Sequence, residues 1–135
     1  MGDLMHIALG KLLEQVVNER PEHEVVVYPD RNLRYTYKQF DNLCRQAAKG
    51  YMKLGIKKGD HMAIWATNHP EWVTSQFATG KMGAVLVTVN TNYRATELEY
   101  LVKWSDILKM SEEESNHVLD ERMSTLNPDD VINMQ

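Results

Sequence analysis

Residues 62–89, MAIWATNHPEWVTSQFATGKMGAVLVTV, decide the fold. Met62-Ala63-Ile64-Trp65 is a short apolar run and reads as a buried strand. Asn68-His69-Pro70-Glu71 is a helix start, with Pro near the first turn and an acid at the positive end of the helix dipole. The helix runs to about Lys81-Met82, and Gly83 closes it. Ala84-Val85-Leu86-Val87-Thr88-Val89 is the next strand. Strand, helix and strand within about thirty residues make a βαβ unit, which implies parallel pairing and a right-handed crossover.

The pattern extends in both directions. Leu9, Leu12, Leu13, Val16 and Val17 recur at helical spacing, so residues 8–19 form an amphipathic helix that Pro21 ends. Val25-Val26-Val27-Tyr28 is a β-branched run. Pro29-Asp30-Arg31-Asn32 supplies turn chemistry, and Leu33-Arg34-Tyr35 returns as the second arm of a hairpin. Thr36 and Gln39 form a capping box, in which each side chain satisfies an orphan backbone N–H. The helix they open buries Phe40, Leu43, Ala47, Tyr51 and Leu54, and Gly55 ends it in a left-handed conformation. Gly59-Asp60 turns the chain into the strand at Met62. Beyond the βαβ unit, Thr96 and Glu99 suggest a second capping box, opening a helix with Leu98, Leu101, Val102 and Trp104 on its apolar side. After Asp106 the texture becomes acidic and polar through Ser111–Asn116. Val118, Leu119 and Met123 then recur at helical spacing, which reads most simply as a solvated surface helix or linker. Asn127-Pro128-Asp129-Asp130 is a turn feeding a short strand at residues 131–135.

Composition excludes several function classes. A chain of 135 residues makes one ordinary domain. The net charge of −4 and scattered basic residues argue against nonspecific binding to nucleic acid. No segment is long and apolar enough to span a bilayer. Met1-Gly2-Asp3-Leu4-Met5-His6 is no secretory signal, and His6 stands where a myristoylation signal wants Ser or Thr. Cys44, the single cysteine, suits a reducing cytoplasm and reads as a buried structural thiol. His6, His23, His61, His69 and His117 show no metal-ligand spacing. Asp129-Asp130 after Pro128 reads as a turn or cap rather than a metal site. Gly80-Lys81 is a dipeptide within a helix, not a phosphate cradle.

Five segments in order resemble one enzyme family. They are Leu33-Arg34-Tyr35-Thr36-Tyr37-Lys38-Gln39-Phe40, Leu54-Gly55-Ile56-Lys57-Lys58-Gly59-Asp60, Asn68-His69-Pro70-Glu71-Trp72, Lys81-Met82-Gly83-Ala84-Val85, and the stretch from Asn90 to Tyr100. Across residues 9–106 the chain resembles the N-terminal part of the AMP-forming acyl-CoA synthetases, which include fatty-acid CoA ligases, acetyl-CoA synthetases and luciferases. Residues 119–135 resemble the segment just ahead of that family's ATP phosphate loop. Between these stretches the chain looks shortened near Asp106-Ile107.

The resemblance implies a partial N-terminal α/β domain: a β-hairpin, a parallel βαβ unit and flanking helices. It divides the chain into an α/β segment at 1–106, an acidic helical linker at 107–126, and a turn and strand at 127–135. Full-length relatives use ATP, Mg²⁺ and coenzyme A, gripped by a Ser/Thr/Gly-Lys loop and by later residues. No such motif occurs in these 135 residues, so no catalytic, cofactor-binding or metal residue carries over. The expectation is a truncated ligase, cytoplasmic and inactive alone, with no cofactor of its own. The alternatives are half of a split ligase needing a partner that carries the phosphate loop, or a small interaction module. Partners would be that complementary fragment, or a second copy met through exposed apolar surface. Asn90, Asn92, Tyr93 and Arg94 are the weak candidates for binding, because they follow a βαβ strand on the side where ligands gather.

Overall fold

The computed structural model describes residues 6–89, 104–130 and 133–134. Helix α1 spans Leu9–Glu19 and leads into strand β1 (Glu24–Tyr28). A 3-10 turn at Pro29–Arg31 ends on Asn32, whose φ of 48° is left-handed, and the chain returns as β2 (Leu33–Thr36). The two strands pair antiparallel, with Val27 opposite Arg34. The capping box forms as the sequence reads: Thr36 N–H donates to Gln39 Oε1 at 2.9 Å, and Gln39 N–H donates to Thr36 Oγ1 at 3.3 Å. It opens α2 (Tyr37–Lys53).

The βαβ unit is present as β3 (His61–Ile64), α3 (Pro70–Met82) and β4 (Val85–Thr88). Gly83 leaves α3 at φ 77°, a conformation that side chains disfavour. Strands β3 and β4 pair parallel, His61 opposite Val85 through Ile64 opposite Thr88. Two further helices follow, α4 (Trp104–Ser111) and α5 (Asn116–Ser124). Strand β5 (Asn133–Met134) lies parallel on the other side of β4, Leu86 opposite Asn133, so the order is β3-β4-β5. The fold is mixed α/β, with a small antiparallel sheet and a separate parallel one.

Helix α2 feeds two apolar clusters. Its first half sends Phe40 and Cys44 toward Leu13 of α1 and Val26 of β1. Phe40 and Phe77 meet edge to face, centroids 5.4 Å apart. Its second half sends Ala47, Ala48, Tyr51 and Met52 against Ala78 and Met82 of α3 and Ala84 beside β4. Burying side chains the size of Phe40 or Met82 contributes about 2 kcal/mol each.

Two sequence expectations need correction. Strand β3 is not a buried strand: His61 and Ala63 are exposed while Met62 and Ile64 are half-buried. It lies at the edge of the sheet, so one face alone meets the core, and Trp65 falls past its end. The chain beyond Asp106 is not simply solvated. Ile107, Leu119 and Met123 enter the second cluster, and Leu119 is fully buried. A single helix, α4, runs through the Asp106-Ile107 junction. It packs directly on Gly50, where any Cβ would collide with the Ile107 backbone. The expected capping box at Thr96 and Glu99 lies outside the described residues. Among those that are described, the exposed large hydrophobics are Val27 and Val118.

Candidate functional site

Parallel strands deliver their carboxyl ends to one edge, and ligands in open α/β sheets collect there. Here Ile64 lies opposite Thr88, and Val89 N–H donates to Ile64 O at 3.0 Å, so β3 and β4 end together. Met134 lies opposite Val87, which brings β5 to the same edge. From β3 the chain passes through residues 65–69 into α3. Pro70 occupies its first turn, His69 provides no side-chain cap, and Glu71 is the acid there.

The hairpin is tied to this edge. Tyr28 donates its hydroxyl to Asn68 Oδ1 at 3.4 Å. Arg31, from the hairpin turn, sets Nη2 2.5 Å from His69 Nδ1 and Nη1 3.8 Å from Glu71 Oε2. A guanidinium can only donate, so His69 Nδ1 accepts and its ring proton resides on Nε2. Glu71 Oε2 is buried without an aligned hydrogen bond, as is Trp65 Nε1. From the sequence alone Arg31 is a turn residue and Trp65 belongs to a buried strand. The spacing of hairpin and helix start carries no signal that they meet.

The binding candidates Asn90, Asn92, Tyr93 and Arg94 lie outside the described residues, just after the last described residue of this edge, Val89. Lys81 lies in the last turn of α3. It is fully buried, and its Nζ lies 2.7 Å from Asp41 Oδ1. Cys44 is fully buried, and burial pushes its thiol far above the ordinary cysteine range, so it is no nucleophile. Asp130 has the turn role: its Oδ2 accepts from Asn127 N–H at 2.8 Å. Among the described residues no group of three or more His, Cys, Asp or Glu could hold a metal ion. No helix among the described residues is long and apolar enough to cross a membrane.

This sheet, with its hairpin and helical cover, matches the N-terminal domain of solved acyl-CoA synthetase structures. The chain belongs to the AMP-binding enzymes, whose family description matches residues 13–131. Among individual proteins, it is 64% identical over 106 residues to YngI of Bacillus subtilis (strain 168), named as an acyl-CoA synthetase. That match covers 78% of this chain and 19% of YngI. It is 39% identical over 100 residues to the mitochondrial medium-chain acyl-CoA ligase ACSF2 of Macaca fascicularis, covering 74% of this chain and 16% of the ligase. Among solved structures, the N-terminal domain of FACL13 from Mycobacterium tuberculosis superposes with a TM-score of 0.63 at 29% identity. That superposition covers 96% of this chain and 33% of the FACL13 chain. The chain thus spans less than a fifth of the length of these curated relatives.

Proposed function

We propose that this chain is the N-terminal scaffold of an AMP-forming acid–thiol ligase of fatty-acid metabolism, cytoplasmic, and that these 135 residues do not complete adenylation alone. The observation that carries the reading is the 64% identity over 106 residues to YngI, a protein that bears an acyl-CoA synthetase name, beside the family match over residues 13–131. In the complete reaction a carboxylate oxygen attacks the α-phosphate of ATP and releases pyrophosphate. The thiol of coenzyme A then attacks the acyl carbon and releases AMP. Negative charge builds in both steps and needs positioned donors and Mg²⁺. This chain's share is the edge where β3, β4 and β5 end. Asn90, Asn92, Tyr93 and Arg94, which follow Val89 in the sequence, remain the candidates for binding. The phosphate-gripping loop would come from elsewhere, since no Gly-rich run followed by Lys occurs in the sequence.

The test is pyrophosphate exchange with ATP, Mg²⁺ and a medium-chain acid. The purified chain should show no acid-dependent exchange, and turnover by it alone would overturn the incomplete reading. A second reading, half of a split ligase, is favoured by β5, which has β4 on one side and no described strand on the other. Adding the complementary fragment, beginning with the phosphate loop, should then restore exchange. Self-association of this chain without restored exchange would count against the split.

A further inference from the structure

We propose that Lys58 is a positioning residue, whose ammonium clasps both ends of the turn between α5 and β5 and so sets where β5 leaves the sheet. Its Nζ donates to Thr125 O at 2.7 Å and pairs with Asp130 Oδ2 at 3.1 Å. Thr125 is the residue that closes α5. Asp130 is the last described residue before β5. One ammonium with three donors can satisfy both acceptors.

The clasp is anchored on the other side. Gly59 N–H donates to Gly83 O at 2.8 Å, and Lys57 N–H donates to Asp60 Oδ2 at 2.8 Å, which fixes the turn that carries Lys58. The Lys58 stem lies against Gly83, where α3 turns into β4. Arg122 Nη1 donates to Ile56 O at 2.7 Å, a second strap from α5 to the same loop. The turn also closes on itself, through Asp130 Oδ2 with Asn127 N–H.

Among the described residues strand β5 pairs with β4 through Asn133 and Met134. Over those two residues the ladder does little to hold its register, so the turn before it contributes to their placement. The start of β4 is on one side of Lys58 and the approach to β5 on the other. In the longer relatives, whatever follows this strand emerges at the carboxyl edge, so the clasp would aim it. That last step rests on the proposed function; the placement of β5 does not.

Amide hydrogen exchange on the intact chain tests this without nucleotide or activity. In Lys58→Met, exchange at Asn133 and Met134 should rise about five- to tenfold, while Ala78 and Met82 in α3 stay unchanged. Lys58→Arg supplies donors to the same two acceptors and should restore wild-type exchange to within about twofold. Asp130→Asn, at a surface position, should give a smaller rise confined to the same amides. Unchanged exchange at Asn133 and Met134 in Lys58→Met would overturn the proposal. So would an equal rise throughout the chain, or failure of Lys58→Arg to restore. Failure of the ligase reading would appear separately, in pyrophosphate exchange.

Discussion

Lys81 and Asp41 face each other in the interior, Nζ 2.7 Å from Oδ1, where α3 crosses α2 under the cover of α1. The lysine side chain is wholly withdrawn from water, and Gly10 of α1 packs closely on its backbone, where a Cβ would lie 3.0 Å from Lys81 Cα. The two atoms are close enough for an ion pair, yet neither makes an aligned hydrogen bond. Proximity is the more informative of these facts, since the attraction of charges depends little on angle. The pair is therefore held by charge, with its hydrogen-bonding capacity partly unspent.

Removing one partner should cost more than removing both. Asp41→Leu or Lys81→Met strands a buried charge, for about 3 kcal/mol. The double variant Asp41→Leu, Lys81→Met should recover most of that loss. Urea unfolding of the wild type, the two single variants and the double, followed by circular dichroism, decides it; additive losses would show that the pair is not coupled.

Tyr51 donates or accepts a hydrogen bond at 2.7 Å with the Ser75 hydroxyl inside the second cluster. Burial pushes its phenol up to about 12, against a lowering by the Ser75 bond and a further push from Cys44. A folded-state value raised above the unfolded value of 10.0 means stability present below pH 10 and lost as pH rises toward 12. Thermal melts should fall across that alkaline window, and Tyr51→Phe should flatten this contribution. That variant also leaves Ser75 without its partner, at a cost of about 1 kcal/mol near neutral pH.

Asp130 behaves with the opposite sign. The Asn127 N–H, and then Lys58, hold its carboxyl below the usual value of 3.8. Its contribution is present above that value and disappears as pH falls through the lower folded-state value. Protonation should loosen the turn, seen as faster exchange at Asn127 before the rest of the chain unfolds. Asp130→Asn should remove that acid-induced loosening.

Gly50→Ala should displace α4. A methyl there collides with the backbone of Ile107, which cannot yield as a side-chain tip can. Overpacking of this kind costs about 1–3 kcal/mol. Lost protection across residues 107–111, with α3 amides retained, would confirm a local effect; protection equal to wild type would show that α4 does not rest on Gly50.

Much of the architecture was legible because it rests on local chemistry. Thr36 and Gln39 needed only a spacing of three, and Gly83 only a helix to leave. The strand, helix, strand order around α3 followed from periodicity. What failed was burial decided at a distance. Nothing near Ile107 or Leu119 announces that α2 and α3 will cover them, and the acidic run at 111–116 points to the opposite, solvated face. Lys81 looks like an exposed helix end until Asp41, forty residues earlier, is brought beside it. The site was legible as an edge of the sheet but not as a set of side chains, because Arg31 reaches His69 across an intervening helix.

Arg45 hydrogen-bonds Glu14 of α1 and also Asp120 of α5. One guanidinium thus links the first helix to the last. Residues 14, 45 and 120 must therefore all be in place before this junction of α1, α2 and α5 closes, so cutting the chain between α2 and α5 would leave Arg45 with Glu14 alone of these two carboxylates.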